Sequence, residues 1–394
     1  MMILCAEDTE INPIVSGYRR PIPILFGILW ASLLVCGPTL AAQQKINWNK
    51  LDRYARNVTY SGQSIDELAH QVTQPAKNDL ERARLLFIWT SAHLQYDATG
   101  PTTEATWEAR QPITIISRGK GVCWDFATVF QTLCQHSAIP CHRISGYART
   151  DWSAPAPEQP NHAWNVFRIG DSWYLADPTW QSGTNEGTDV FEQITGYTYF
   201  CTPPEAFVLS HLPEHPMYQL MTCPVSLEEF RQVPDIDFLK TREICDPPYV
   251  YRDTIQKMSA LTASERALQM QSGIYRYAPS TINRKYLNQA IVDKGIEWQN
   301  EGDKWFDDGK YTLADSCYAQ AIGQFEQIPE PLSTLYDWQV KAIGLTWFNR
   351  GMTCLKTGTA GCSQHFQQAW ELLKTFRDDP LLRPVISFLS QRNE

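Results

Sequence analysis

The segment Gly119-Lys120-Gly121-Val122-Cys123-Trp124-Asp125-Phe126-Ala127 carries the strongest local signal in the chain. Two glycines loosen the approach. From Cys123 onward Phe126, Phe130, Leu133 and Cys134 recur at helical spacing until Pro140 stops the pattern. The spacing predicts a helix over 123–137 with a cysteine in its first turn. A thiolate in that position is stabilised by the positive end of the helix, and the backbone N–H groups there can receive the oxyanion of an attacked carbonyl. A lone cysteine in a helix is more often a buried core residue, so the chemistry needs partners to be argued.

Those partners come from a hairpin. Strand patterns at 162–169 and 172–177 flank Gly170-Asp171, a two-residue turn signal. Antiparallel pairing then joins residues whose numbers sum to 341, so Trp164 faces Asp177, and His162 is the diagonal neighbour of Asp177 on one face. Diagonal Cβ atoms lie about 7 Å apart, close enough for an imidazole and a carboxylate to meet through a hydrogen bond. The carboxylate would orient the ring and favour its protonated form, leaving the other nitrogen for a thiol. A one-residue slip of register would put the two on opposite faces.

Cys123 in GVCWDFA, His162 in NHAWNVF and Asp177 in WYLADPTW together resemble the Cys-His-Asp triad of the transglutaminase-like superfamily. The stretch 82–97 (RARLLFIWTSAHLQYD) and the strand ISGYA at 144–148 resemble the flanking elements of that fold. The segment 207–220 (FVLSHLPEHPMYQL) is similar to one in its kyphoscoliosis-peptidase-like branch. The resemblance covers about residues 50–225 and implies a papain-like α+β catalytic domain. It also implies that Cys123 is nucleophile, His162 general base and acid, and Asp177 the group that orients His162, with no cofactor. Cross-linking transglutaminases, peptidases and inactive relatives all share the fold, so the family fixes acyl chemistry better than substrate.

The remaining chain is read by texture. Its 394 residues are 43% apolar, enough for a large core, and carry 34 Lys+Arg against 43 Asp+Glu. A net charge of −9 with no basic block excludes a nucleic-acid partner. Arg19-Arg20, an apolar run over 22–37 and the small residues up to Ala42 predict a secretory signal over 1–42. A retained anchor is one alternative, and the only route to a membrane; a lipoprotein at Cys36 is another, disfavoured by bulky Val35. The expected order is then a catalytic domain over 45–225, a Pro-rich connector over 226–260 and an all-α domain over 261–394.

In the last region Trp298, Gly302, Trp305, Ala314, Tyr318 and Ala321 fall at the offsets of the 34-residue tetratricopeptide unit. A shortened second copy runs through Trp347, Gly351, Phe366 and Ala369. Such units predict a surface for a protein or peptide partner.

Eleven cysteines become nine without the leader, an odd number that implies a free thiol. Cys134 and Cys141 read as a disulfide or as plain burial. His211-Leu212-Pro213-Glu214-His215 spells a zinc-hydrolase motif, but Pro213 and Pro216 disfavour the helix it needs, so no metal is expected. The sequence thus predicts an exported cysteine acyl-transfer enzyme acting on amide bonds of proteins or peptides. The rival expectation is a catalytically inactive scaffold that binds protein partners through its helical repeats.

Overall fold

Side-chain caps written in the sequence set the helix boundaries of the N-terminal half. The computed structural model describes residues 46–97, 108–149, 156–183, 198–232, 245–329 and 335–393. The leader and part of the Pro-rich connector lie outside the described residues. Helix α1 (Trp48–Asn57) is followed by α2 (Ile65–Thr73), which Ser64 and Glu67 close with a reciprocal capping box. Asn78 caps α3 (Asp79–His93) by accepting from the Glu81 N–H. The sequence gives α3 a broad apolar stripe, yet it is buried almost all round. Ala83 and Leu85 to Trp89 are each at most 1% exposed, because α1, α2 and the helices described next enclose it.

A two-residue parallel pair, β1 (Gln95–Tyr96) with β2 (Lys120–Gly121), ties the exit of α3 to the chain leaving α4 (Pro112–Arg118). Directly after it comes α5 (Cys123–His136), within one residue of its expected bounds.

The main sheet comprises β3 (Cys141–Ala148), β4 (His162–Ile169), β5 (Ser172–Ala176), β6 (Phe200–Thr202) and β7 (His211–Pro213). Its order is β6-β5-β4-β3-β7, antiparallel throughout. The β4–β5 register is the expected one, with Asn165 opposite Ala176 and Ile169 opposite Ser172. Gly170 takes the left-handed conformation the tight turn demands, at φ 56°. Strand β5 stops at Ala176, one residue early, because Asp177 caps the short helix α6 (Pro178–Gln181) instead. One face of β4 packs on α5: the Asn165 side-chain amide donates to the Ala127 carbonyl at 2.9 Å, and Phe130 meets Phe167 edge-on at 5.9 Å. Two short helices, α7 (Pro204–Phe207) and α8 (Leu227–Arg231), complete this half.

The chain then becomes helical: α9 (Tyr251–Ala260), α10 (Ala263–Tyr277), α11 (Thr281–Asp307), α12 (Tyr311–Phe325), α13 (Asp337–Thr357), α14 (Cys362–Leu373) and α15 (Arg383–Asn393). Two successive hairpins repeat one contact. A Cβ on Gly302 would lie 2.7 Å from the Tyr318 ring, and one on Gly351 would lie 2.5 Å from the Phe366 ring. Absence of a side chain on α11 and α13 therefore seats an aromatic ring of α12 and α14. Tyr318 and Phe325 fill the space between α11 and α12, against Gly302 and Gly295, while Trp298 is 36% exposed.

Residues 47–394 form one compact unit. Helices α9 and α10 pack on the turn at 216–219, and the His215 ring sits so close to α10 that a Cβ on Gly273 would fall 2.0 Å from its Nε2. Disulfides join Cys223 to Cys245 and Cys354 to Cys362. Cys134 and Cys141 are free and buried, so burial, not a bridge, accounts for them.

Candidate active site

Cys123 is placed by the residues just before it. Gly119 ends α4 at φ 67°, and Val122 is the N-cap of α5. The Asp125 carboxylate reaches back to accept the Val122 N–H at 3.1 Å and the Arg118 guanidinium at 3.3 Å. Gly121 has to be glycine, since a Cβ there would stand 2.5 Å from Asp125. This clamp fixes the entry of α5 and leaves Cys123 half-buried at its first residue. Trp124 beside it is exposed and lies under the Arg143 guanidinium, 3.6 Å from the ring centre.

His162 opens β4 opposite Gly146, where a Cβ would strike the Leu212 carbonyl and the Trp164 ring at 2.3 Å. Its side chain is 7% exposed, its Nε2 is 2.7 Å from Asp177 Oδ2, and Cys123 is near enough to act on the same ring. Burial alone would lower the His162 pKa. The Asp177 charge and hydrogen bond, with help from Cys123, outweigh burial and raise it to about 9. Asp177 is fully buried, which opposes ionisation, yet His162 and then a second histidine, His211, hold its carboxyl well below the usual range. Its other oxygen accepts the Thr179 and Trp180 N–H groups at 2.8 and 3.2 Å, the N-cap bonds of α6.

Residues 66–178 match the transglutaminase-like superfamily. They form a transglutaminase-like domain. Kyphoscoliosis peptidase of Homo sapiens is 32% identical over 187 residues, which is 46% of this chain and 28% of that protein. Hillarin of Drosophila melanogaster is 22% identical over 212 residues, covering 48% of this chain and 25% of that protein. The chain thus spans little more than a quarter of the length of these relatives. A solved structure of a candidate cysteine protease from Cytophaga hutchinsonii aligns at a TM-score of 0.25 with 23% identity, over 29% of this chain and 36% of that one.

The transglutaminase-like domain therefore brings together all three residues singled out in the sequence: Cys123 from a helix start, His162 from a strand start and Asp177 from a strand end. The fourth member, His211 of β7, was missed as a site residue. Its Nε2 lies 3.1 Å from the same Asp177 oxygen, and its Nδ1 is 2.7 Å from the Ser210 hydroxyl. The ring is sandwiched between Phe207 and Trp180, with centroids at 4.2 and 4.3 Å. Burial pushes its pKa down to about 4, against the pull of Asp177, so the neutral ring donates one hydrogen bond and accepts another.

The sequence offered His211 only as half of a metal spelling. The structure splits that spelling: His211 points to Asp177 from a strand, whereas His215 packs on Gly273. His162, Asp177 and His211 do bring three ligand-type atoms within 4.8 Å of one another. Their facing atoms are already joined by hydrogen bonds, and a cation would have to displace both shared protons.

Proposed function

We propose that this protein is a cysteine acyl-transfer enzyme acting on amide bonds of proteins or peptides. The observation that carries the reading is His162 held between Cys123, whose thiol bears on the ring's proton affinity, and buried Asp177, whose Oδ2 lies 2.7 Å from its Nε2. Cys123 passes its proton to His162, and the thiolate attacks the amide carbonyl while N–H groups at the start of α5 face the developing oxyanion. The His162 imidazolium then protonates the leaving amine nitrogen and leaves a thioester on Cys123. Water, deprotonated by His162, releases an acid; an amine in its place yields a new amide. Asp177 holds the ring in position and stabilises its charged form.

Export from the cytosol belongs to the same proposal, supported by the basic-apolar leader and by the disulfides Cys223–Cys245 and Cys354–Cys362, which persist in oxidising compartments. The helical hairpins, with their repeated glycine-on-ring contacts, support a role in holding a protein partner. Incubating the protein with a thiol-directed electrophile and mapping the adduct tests the chemistry. A single adduct on Cys123, slowed by His162→Ala, is expected, and an inert Cys123 would contradict it.

A further inference from the structure

A groove of about 520 Å³, lined not by Cys123 or His162 but by residues next to them in sequence, opens between the transglutaminase-like domain and the helical region. One wall carries Trp124, adjacent to Cys123 in sequence, with Ile144 and Ser145 of β3 and Pro160, two residues before His162. Ser145 stands opposite Ala163 in the sheet, next to the His162–Gly146 pair. The other wall comes from outside the family-matched segment: Met270 and Ile274 of α10, and Ile282 and Tyr286 of α11.

The charged groups lining this groove have internal partners. Arg143 lies over Trp124 at 3.6 Å and donates to the Thr128 hydroxyl at 2.5 Å. Burial pushes the Glu214 carboxyl up, and its backbone N–H donates to the Ser145 carbonyl at 3.1 Å. The His215 ring, pushed down to about 4 mainly by burial, is neutral and accepts the Met217 N–H. What remains to meet a ligand is mainly aliphatic and aromatic surface, with the uncharged amides of Gln159 and Gln271 among it. Tyr286 and Ile282 stand 57% and 38% exposed, with no neighbour covering them. The volume lies in the range of small-ligand sites and exceeds the needs of one side chain, leaving room for the peptide backbone that carries it.

We propose that this groove binds a bulky uncharged side chain, aromatic or long aliphatic, next to the reacting carbonyl of a peptide substrate, and that α10 and α11 set this preference. The inference rests on Cys123 being the nucleophile, because that places the carbonyl beside Trp124. Leaving an apolar side chain in water, or forcing a carboxylate against these walls, costs enough to discriminate about tenfold or more.

The test uses the full chain and two peptidyl fluoromethyl ketones that differ only in Phe or Asp at the residue preceding the reacting one. Thiolate attack displaces fluoride and leaves a thioether that mass spectrometry locates. The Phe probe should label Cys123 about tenfold faster than the Asp probe. Ile282→Glu and Tyr286→Glu, both at exposed positions, should each erase that preference while leaving iodoacetamide labelling of Cys123 within about twofold of the parent. Equal rates for the two probes in the parent, or an unchanged preference in both variants, would overturn the groove assignment. An inert Cys123 would instead overturn the nucleophile assignment. Fluorescence anisotropy of labelled Phe and Asp peptides on Cys123→Ala protein then decides the groove separately: the same preference, lost in Ile282→Glu, supports it, and equal binding sinks it.

Discussion

At Gly146 and at Gly302 the chain brings two elements closer than a side chain allows, but what presses against each glycine differs. A Cβ on Gly146 would meet backbone, the Leu212 carbonyl oxygen at 2.3 Å and Pro213 Cα at 2.8 Å, as well as the Trp164 ring. A Cβ on Gly302 would meet one edge of the Tyr318 ring. Strands pinned on both sides cannot retreat, whereas a ring between two helices can swing. The contrast extends to polar groups. Asp177 is buried with each of its oxygens accepting two hydrogen bonds, whereas the helical hairpins hold together by a contact they use twice. Atomic placement in the transglutaminase-like domain is rigid where bonds would be made and broken, and the helical region tolerates adjustment where surface would be recognised.

Substitutions can break that contrast or sharpen it. Gly146→Ala should cost the most, about 3 kcal/mol in urea unfolding, with loss of Cys123 reactivity, because the β7 backbone and the buried Trp164 ring of β4 must both move. A mild effect there would mean the sheet is softer than its packing implies. Next, His162→Ala should slow alkylation of Cys123 about 100-fold while leaving the helical circular dichroism of the folded protein unchanged.

His211→Leu removes a donor from a buried carboxylate. Asp177 then takes a proton more readily, so the acid-side loss of Cys123 alkylation should move up by about one pH unit. His211→Gln, which keeps an N–H to offer, should restore much of that shift; a profile unmoved by either variant would reduce His211 to packing. The smallest effect belongs to Gly302→Ala, about 1 kcal/mol, since the gain in helix propensity offsets much of the displaced Tyr318 ring. Equal costs at Gly146 and Gly302 would erase the distinction between the two regions.

The same site sets a pH optimum for stability. His162 is held near 9 in the folded protein against about 6.5 in an unfolded chain, so its contribution is complete below pH 6.5 and is lost as pH rises toward 9. His211 has the opposite sign: held near 4, it contributes fully above about 6.5, and that contribution is lost as pH falls toward 4. Stability attributable to this pair should therefore peak near pH 6.5. His162→Ala should flatten the alkaline fall, and His211→Leu the acid one, in midpoints measured from pH 4 to 9 at steps of about half a unit.

Much of the catalytic half was legible because its signals are local or obey parity. The Gly-rich entry and apolar spacing place Cys123 at a helix start, and a two-residue turn forces the register that brings His162 to Asp177. His211 was not legible as a partner, since nothing in a three-residue strand says which distant carboxylate it meets. The paired helices of α11 to α14 could be read from spacing, but the offsets do not say which aromatic wins the space between them: Tyr318 and Phe325 do, and Trp298 stands 36% exposed. The groove walls formed by α10 and α11 had no sequence signal at all, because they arise from how two distant segments meet.

Competitive alkylation of the free cysteines addresses the central claim most directly. Burial raises the thiols of Cys134 and Cys201, the latter to about 12, and Cys317 is also raised by burial, whereas Cys123 sits half-buried against the His162 ring. With limiting iodoacetamide near pH 7, read by peptide mass spectrometry on folded protein, Cys123 should be modified first, and His162→Ala should abolish its lead. Faster modification of Cys134, Cys201 or Cys317, or a Cys123 rate that ignores the loss of His162, would contradict the account.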